Sequence, residues 1–116
     1  MNREIFDIAV GILGGHSDVI GANQRSLAVH VIATELDGDT LSKIERLTLI
    51  AFSQEDGLFS PDMLEALLAA GILYRTCAYG ISGYLSASPL ALAILDIARR
   101  NGRYVSLSNT EKVDAL

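Results

Sequence analysis

Apolar residues recur three and four positions apart along most of this chain, a spacing typical of helices that bury one face. Short polar turns separate these apolar stretches. We therefore predict a mainly helical protein, with one stretch that favours strands instead. The predicted helices cover residues 4–13, 23–36, 42–53, 60–70 and 88–100, and the predicted hairpin covers residues 72–87.

The first stretch, residues 4–13, is apolar on nearly all sides and runs into Gly14 and Gly15, which end helices well. It predicts a helix in the centre of the fold. Because β-branched residues are frequent and the run is short, a buried strand remains an alternative that periodicity does not separate from a helix.

Capping residues indicate where the next two helices start and stop. Asn23 is the candidate N-cap of the second helix, and the polar turn 37–39 ends it. Ser42 and Glu45 have the spacing of a capping box. They predict that the third helix begins near Thr40 to Ser42 and continues to Ser53.

The fourth and fifth helices have clearer start signals. Ser60–Pro61 predicts a helix start, because the serine hydroxyl accepts a backbone hydrogen bond and proline needs no donor at the first position. Gly71 stands where a helix end needs a left-handed residue, and Ile72 supplies the apolar contact of such an end. Ser88–Pro89 repeats the same start chemistry.

Residues 72–87 favour strands because tyrosine and threonine are frequent there, and Gly80 and Gly83 offer turn positions. A further short strand is predicted from Tyr104 to Leu107. Residues 109–116 form a polar tail that we expect to be frayed.

These elements predict a single α+β domain, mostly α-helical, over residues 1–108, and a chain of 116 residues is long enough to bury one core. Half of the residues are hydrophobic and 20% are charged, against about 25% charged in an average domain. The hydrophobic surplus indicates either a partner surface, such as that of a homodimer, or a compact core rich in alanine and leucine.

From Leu47 onward the chain contains a helix, a second helix that ends in Ala-Gly-Ile-Leu, a hairpin and a Ser-Pro helix. This order resembles the winged-helix domains of bacterial regulators, over about residues 42–107. The resemblance implies a small wing-like hairpin that packs on helices 42–53 and 60–70. It also makes a DNA-binding transcriptional regulator the alternative function.

The charges argue against nucleic acid as the main partner, since the net charge is −5. A recognition helix reads bases with Arg, Lys, Asn or Gln, and residues 60–73 contain none of these but do contain Asp62 and Glu65. Arg99 and Arg100 stand in the last turn of their helix, where cations favour the helix dipole.

The residues do not predict catalysis or metal binding, so we expect no enzyme activity, cofactor or metal. His16, Ser17 and Asp18 are sequence neighbours and cannot adopt the geometry of a catalytic triad. His30 lies on an apolar helix and is expected to be partly buried. Cys77 is the single cysteine, which favours a reducing, cytoplasmic location. No apolar run approaches the roughly 18 to 20 residues that cross a bilayer.

The favoured function is protein binding, by a small cytoplasmic adaptor or inhibitor. All four tyrosines fall in the last part of the chain, where they suit a protein-binding patch, although ordinary cross-strand pairing explains them equally well. By analogy, small acidic proteins of this build occur among phage and mobile-element factors that regulate host machinery. The candidate partner-binding residues are Tyr74, Arg75, Tyr79, Tyr84, Arg99, Arg100, Arg103 and Tyr104.

Overall fold

The computed structural model describes residues 1–15, 22–50, 52–53, 57–78 and 80–105. Within these ranges five helices and three strands follow one another, so the predicted α+β, mostly helical fold is confirmed. In chain order, these elements are α1 (Arg3–Leu13), α2 (Ala22–Glu35), α3 (Gly38–Leu49), β1 (Phe52–Ser53), α4 (Pro61–Ala69), β2 (Leu73–Ala78), β3 (Ile81–Ala87) and α5 (Pro89–Arg100). None of the described helices has the length and apolar content that crossing a bilayer requires.

The strands form an antiparallel sheet in the order β1-β3-β2. The hairpin of β2 and β3 is as predicted, but β1 is not. The prediction that the third helix continues to Ser53 is wrong, because α3 ends at Leu49 and Ile50 is already extended, with φ −140° and ψ 150°. Phe52 then pairs with Leu85 of β3. Pairing to a strand over 30 residues away decides this conformation, and local spacing carries no sign of it.

Two predicted helix starts are also wrong. α2 begins at Ala22, so Asn23 lies inside its first turn. Asp37, expected to end the second helix, instead caps α3, and its carboxylate accepts a hydrogen bond of 2.7 Å from the backbone N–H of Thr40. Ser42 therefore lies within the helix. An aspartate that follows one helix can equally well cap the next. The link between α2 and α3 is therefore only residues 36–37, and not a turn that extends to residue 39.

The predicted boundaries of α4 are confirmed in detail. The Ser60 hydroxyl accepts a hydrogen bond from the Met63 N–H at 3.3 Å, and Pro61 occupies the first helical position. At the other end Gly71 has φ +75°. The Ile72 N–H donates to the Leu67 carbonyl at 3.0 Å, and the Gly71 N–H donates to the Leu68 carbonyl at 3.1 Å. This is the paired hydrogen bonding of a Schellman motif.

Ser88 does not repeat the cap chemistry of Ser60, although α5 begins after it as predicted. Its hydroxyl donates backwards to the carbonyl oxygens of Gly71, at 2.6 Å, and Ile72, at 2.9 Å. Its backbone N–H also donates to the Ile72 carbonyl, at 2.9 Å. The base of the hairpin is thus fastened where it leaves α4 and where it enters α5.

The core lies between the helices and one face of the sheet. α1 packs on α2 and α4, α2 packs on α5, and β3 packs on α3 and α5. The stretch 4–13 is a helix, as predicted, but it is not central, because only the stripe of Phe6, Ala9 and Leu13 is buried. The fully buried large side chains are Phe6, Ile32, Leu36, Leu41, Ile44, Leu47, Leu67, Ile72, Leu73, Leu85 and Ile94.

The segment after α5 is tied to the core but is not a strand at Tyr104 and Val105, as far as the structure describes it. That part of the predicted strand 104–107 is wrong. Hydrogen bonds of the Arg103 and Tyr104 side chains hold the segment instead. The predicted tail, residues 109–116, lies outside the described residues.

Candidate functional site

Cross-strand register places two of the predicted tyrosines on one face of the sheet. Tyr74 lies opposite Ser86, and Thr76 lies opposite Tyr84. Successive side chains of a strand alternate between faces, so these four share a face and Leu73 and Leu85 share the other. Leu73 and Leu85 are buried, which identifies theirs as the core side. We call the solvent side, formed by Tyr74, Thr76, Tyr84 and Ser86, the tyrosine face.

The two tyrosines of this face are diagonal neighbours, within the reach that long side chains have across a strand pair. Tyr74 is 46% exposed, and Tyr84 is half-buried on the central strand. Each ring offers apolar area with a hydroxyl at its tip, and Thr76 and Ser86 add hydroxyls beside them. The face therefore combines rigid aromatic surface with adaptable hydrogen bonding, and it carries no charge.

A glycine bulge shapes the outer end of this face. The register shifts between Thr76 and Cys77, so that Cys77 pairs with Ser82 and Gly83 is left as the extra residue of β3. Gly83 has φ +96°, which side chains rarely adopt. The prediction of a turn at Gly83 is thus wrong, while Gly80, at φ +75°, does lie in the turn. Tyr79, beside it, lies outside the described residues.

Arg75 is exposed but does not join the tyrosine face. Its register partner is Leu85, so its position belongs to the core side of the sheet. The structure thus separates Arg75 from Tyr74 and Tyr84, although the sequence placed all three in one candidate site.

The two arginines at the end of α5 form salt bridges within their own helix. Arg99 Nη2 lies 2.8 Å from Asp96 Oδ1, and Arg100 Nη2 lies 2.8 Å from Asp96 Oδ2. Both side chains are largely exposed, so these pairs contribute little stability. α5 is about 18 Å long and starts at the base of the hairpin, which puts both arginines at its far end.

Arg103 and Tyr104 fasten the chain after α5 to the junction of α2 and α3. Arg103 Nη2 donates to the Leu36 carbonyl at 2.8 Å, and the Tyr104 hydroxyl donates to Glu45 Oε2 at 2.8 Å. Partial burial and this bond to Glu45 raise the pKa of Tyr104 well above its usual range. At this junction, a Cβ added to Gly38 would lie 3.0 Å from the Arg103 carbonyl. The role of these two side chains is therefore structural in the first place.

A second surface, which the sequence did not indicate, lies between α1 and α2. Ile5, Ile8 and Ile12 of α1 and Leu27 and Val31 of α2 form the walls of an apolar groove of about 120 Å³. Ala9 and Ala28, both buried, also line it and form its floor. We call it the α1–α2 groove. Periodicity did not reveal it, because α1 has apolar residues on its uncovered side as well as on its buried side, and the sequence does not show which of the two is covered.

The walls of the α1–α2 groove are strongly exposed for apolar side chains. Ile5 is 43% exposed, Ile8 59% and Leu27 65%. His30, expected to be partly buried, lies on the same helix as Leu27 and is exposed. The expectation was wrong because α2 turns Ala28, Ile32 and Ala33, and not the side with His30, toward the core.

A third depression, of about 300 Å³, lies between α1 and α4. Its polar side chains are those of Arg3, Asp7, Asp62 and Glu65, and Arg3 is paired with Asp7 at 3.0 Å. Throughout the described ranges, no three or more His, Cys, Asp or Glu side chains are grouped so as to hold a metal ion. His16, Ser17 and Asp18 lie outside these ranges.

No family model matches the chain, and neither a curated protein nor a solved structure matches it.

Proposed function

We propose that this protein is a non-catalytic binding module that docks a protein partner on the tyrosine face of its hairpin, as an adaptor or inhibitor. The observation that carries the proposal is the register of β2 and β3, which gathers Tyr74, Thr76, Tyr84 and Ser86 on the solvent side. Tyrosine with serine is the combination that antibody paratopes use, because two rotatable angles fix a large contact area at low entropic cost.

The anchoring of the hairpin at its base and inner face supports this role. Binding loses free energy when flexible surface has to be ordered, so a surface ordered in advance binds more tightly. Here the base is closed by Ser88, whose hydroxyl and N–H bond to Gly71 and Ile72, and the inner face is anchored by buried Leu73 and Leu85. The partner that suits such a face has an apolar centre and carbonyl or amide groups around it.

The DNA-binding alternative rests on the order of elements, with α4 directly before the wing-like hairpin. The side chains of Asp62 and Glu65 lie near the start of α4, where they would repel phosphate. Arg99 and Arg100 pair with Asp96, and Arg103 bonds to a backbone carbonyl. These contacts favour a protein partner over a nucleic acid. The lone cysteine, Cys77, which is exposed, supports a reducing cytoplasmic setting for this role.

The test pairs site-specific crosslinking with a matched loss-of-binding variant. A photoreactive amino acid at Ser86 should capture a partner from the native cell extract, and the same probe at Ala93, exposed on α5, should not. The captured partner is then produced and titrated by calorimetry against the wild type and the Tyr74→Ser, Tyr84→Ser double variant. We expect at least about 30-fold weaker binding, as for the loss of a hot spot worth roughly 2 kcal/mol.

The control is Leu92→Ser, which removes a comparably exposed apolar side chain from α5. It should bind like the wild type. Equal affinity of the double tyrosine variant and the wild type would contradict the proposal, as would crosslinks that are as strong from position 93 as from position 86.

A further inference from the structure

The α1–α2 groove is lined by seven side chains, and all seven are apolar. Its volume of about 120 Å³ approaches that of the roughly 150 Å³ apolar cavity that binds benzene in an engineered protein. The groove is therefore large enough to take one or two aliphatic side chains from a partner. Ile8 and Leu27, at 59% and 65% exposure, stand beside it as ridges.

We infer that a second copy of this chain covers the groove, so that the α1–α2 pairs of two protomers form a four-helix bundle. One surface here supplies both the ridge and the hole. A two-fold axis makes the same patch serve both protomers, so Ile8 of each copy enters the groove of the other. A foreign partner would have to supply a complementary ridge, which this chain already carries.

The spacing along α1 indicates a helical occupant. Ile5, Ile8 and Ile12 are exposed or half-buried and follow one another at intervals of three and four residues. That alternation is the seam of a helical bundle, where side chains of one helix fill holes in the next. α1 and α2 have 11 and 14 residues, or lengths of about 16 and 21 Å, enough for two rows of such contacts.

Hydrogen-bonding complementarity at the edges of the groove favours a second copy in one arrangement. The helices are antiparallel, since the Asn2 N–H at the start of α1 donates to Glu35 near the end of α2 at 2.7 Å. A two-fold axis parallel to the helices then places α1 of one copy over α2 of the other. Exposed Glu4, one turn before Ile8, flanks the groove on α1, and exposed His30 flanks it on α2.

In this arrangement each Glu4 flank meets a His30 flank, where an imidazole N–H can donate to the carboxylate. The centre of the interface carries no charge, so two chains of net charge −5 bring no like charges into contact there. Self-association at this face therefore escapes the repulsion that an acidic chain meets elsewhere on its surface.

The mass of the full chain, measured by sedimentation equilibrium over a dilution series, tests the inference. We expect twice 12.4 kDa at high concentration. Ile8→Glu and Leu27→Lys should each weaken dimerisation by about 100-fold or more, since each buries a charge without a partner. Leu92→Glu, which adds a charge at an equally exposed position on α5, should leave the mass unchanged.

Mixing the two weakened variants provides the decisive comparison. In a mixed dimer, the carboxylate introduced at position 8 of one copy lies near the ammonium group introduced at position 27 of the other, so the mixture should recover dimers that neither variant forms alone. Circular dichroism of each variant shows whether it is folded. A wild type that stays at 12.4 kDa throughout, or dimers that persist in folded Ile8→Glu, overturns the inference. The tyrosine face is not altered by these variants, so this outcome is separate from that of the proposed function.

Discussion

Replacing Gly71 should destabilise the protein through the backbone alone. Its φ of +75° lies in the left-handed region, and a Cβ built there meets no atom within 4 Å. The Cβ itself therefore adds no steric clash to the conformational cost. A left-handed conformation costs a residue with a side chain about 1 to 2 kcal/mol, and a β-branched residue is the least suited to it. We expect Gly71→Val to lower the free energy of unfolding by about 2 kcal/mol.

A graded series separates this cause from others. Asparagine visits the left-handed region more readily than other residues, so Gly71→Asn should cost less than about 1 kcal/mol, with Gly71→Ala between asparagine and valine. Gly11 provides a control of opposite sign. It lies inside α1, where an added Cβ also meets nothing within 4 Å, but without a positive φ. Gly11→Ala should therefore stabilise the protein by about 0.5 to 1 kcal/mol.

Urea denaturation at one fixed protein concentration measures all four variants, with the slope of the transition checked for constancy. Two results would refute the reasoning. A Gly71→Val variant as stable as the wild type would show that φ at this position is not enforced. A Gly71→Asn variant as damaged as Gly71→Val would show that the cost comes from space or solvation and not from the backbone angle.

Four further outcomes are expected. Leu67→Ala should lose about 2 to 5 kcal/mol of unfolding free energy in urea, because Leu67 is fully buried; an unchanged midpoint would remove it from the core. The hydrogen bonds from Thr40 lower the pKa of Asp37 below 3.8, so the stabilising effect of its carboxylate is present above that pH and is lost as the pH falls. Asp37→Ala should therefore lower the free energy of unfolding by about 0.5 to 2 kcal/mol at pH 7 and by less in acid, and Asp37→Asn should lower it much less at pH 7. The raised pKa of Tyr104 means that the folded state holds this proton more tightly, so stability should fall as the pH rises above about 10; Tyr104→Phe should show a weaker fall in alkaline unfolding curves. Fluorescence anisotropy with duplex DNA at about 0.15 M salt should show weak binding without sequence preference; sub-micromolar, sequence-dependent binding that is lost in Arg99→Ala, Arg100→Ala would put the regulator first.

Features set by contacts within one helical turn could be predicted from the sequence. Ser60 with Pro61 and Gly71 with Ile72 predicted both ends of α4, because each signal involves hydrogen bonds between residues only a few positions apart. Where two residues could both cap the same helix, the sequence prediction used the wrong one. Asp37 and Ser42 both suit an N-cap, and the structure uses Asp37 because the chain turns immediately after Glu35.

Features that depend on residues far apart in the chain could not be predicted from the sequence. The strand at Phe52 forms because it pairs with Leu85 of β3. The Ser88 hydroxyl does not cap α5, because it donates to the carbonyls of Gly71 and Ile72 instead. The tyrosine cluster was visible in composition, but only the register separates Tyr74 and Tyr84 from Arg75. The α1–α2 groove needs the packing of two helices, which no single apolar run encodes.

The hydrogen bonds of Ser88 close the base of the hairpin independently of its tip. The Ser88 hydroxyl shares its proton between the carbonyls of Gly71 and Ile72, and the Ser88 N–H donates to Ile72, so these contacts hold the ends of the 71–88 segment together. Extra residues inserted at the Gly80 turn would then add mainly loop entropy, which grows by only about 0.6 kcal/mol for each doubling of loop length. The tip of this hairpin is therefore a position where new recognition sequences can be grafted while the helices beneath keep their packing.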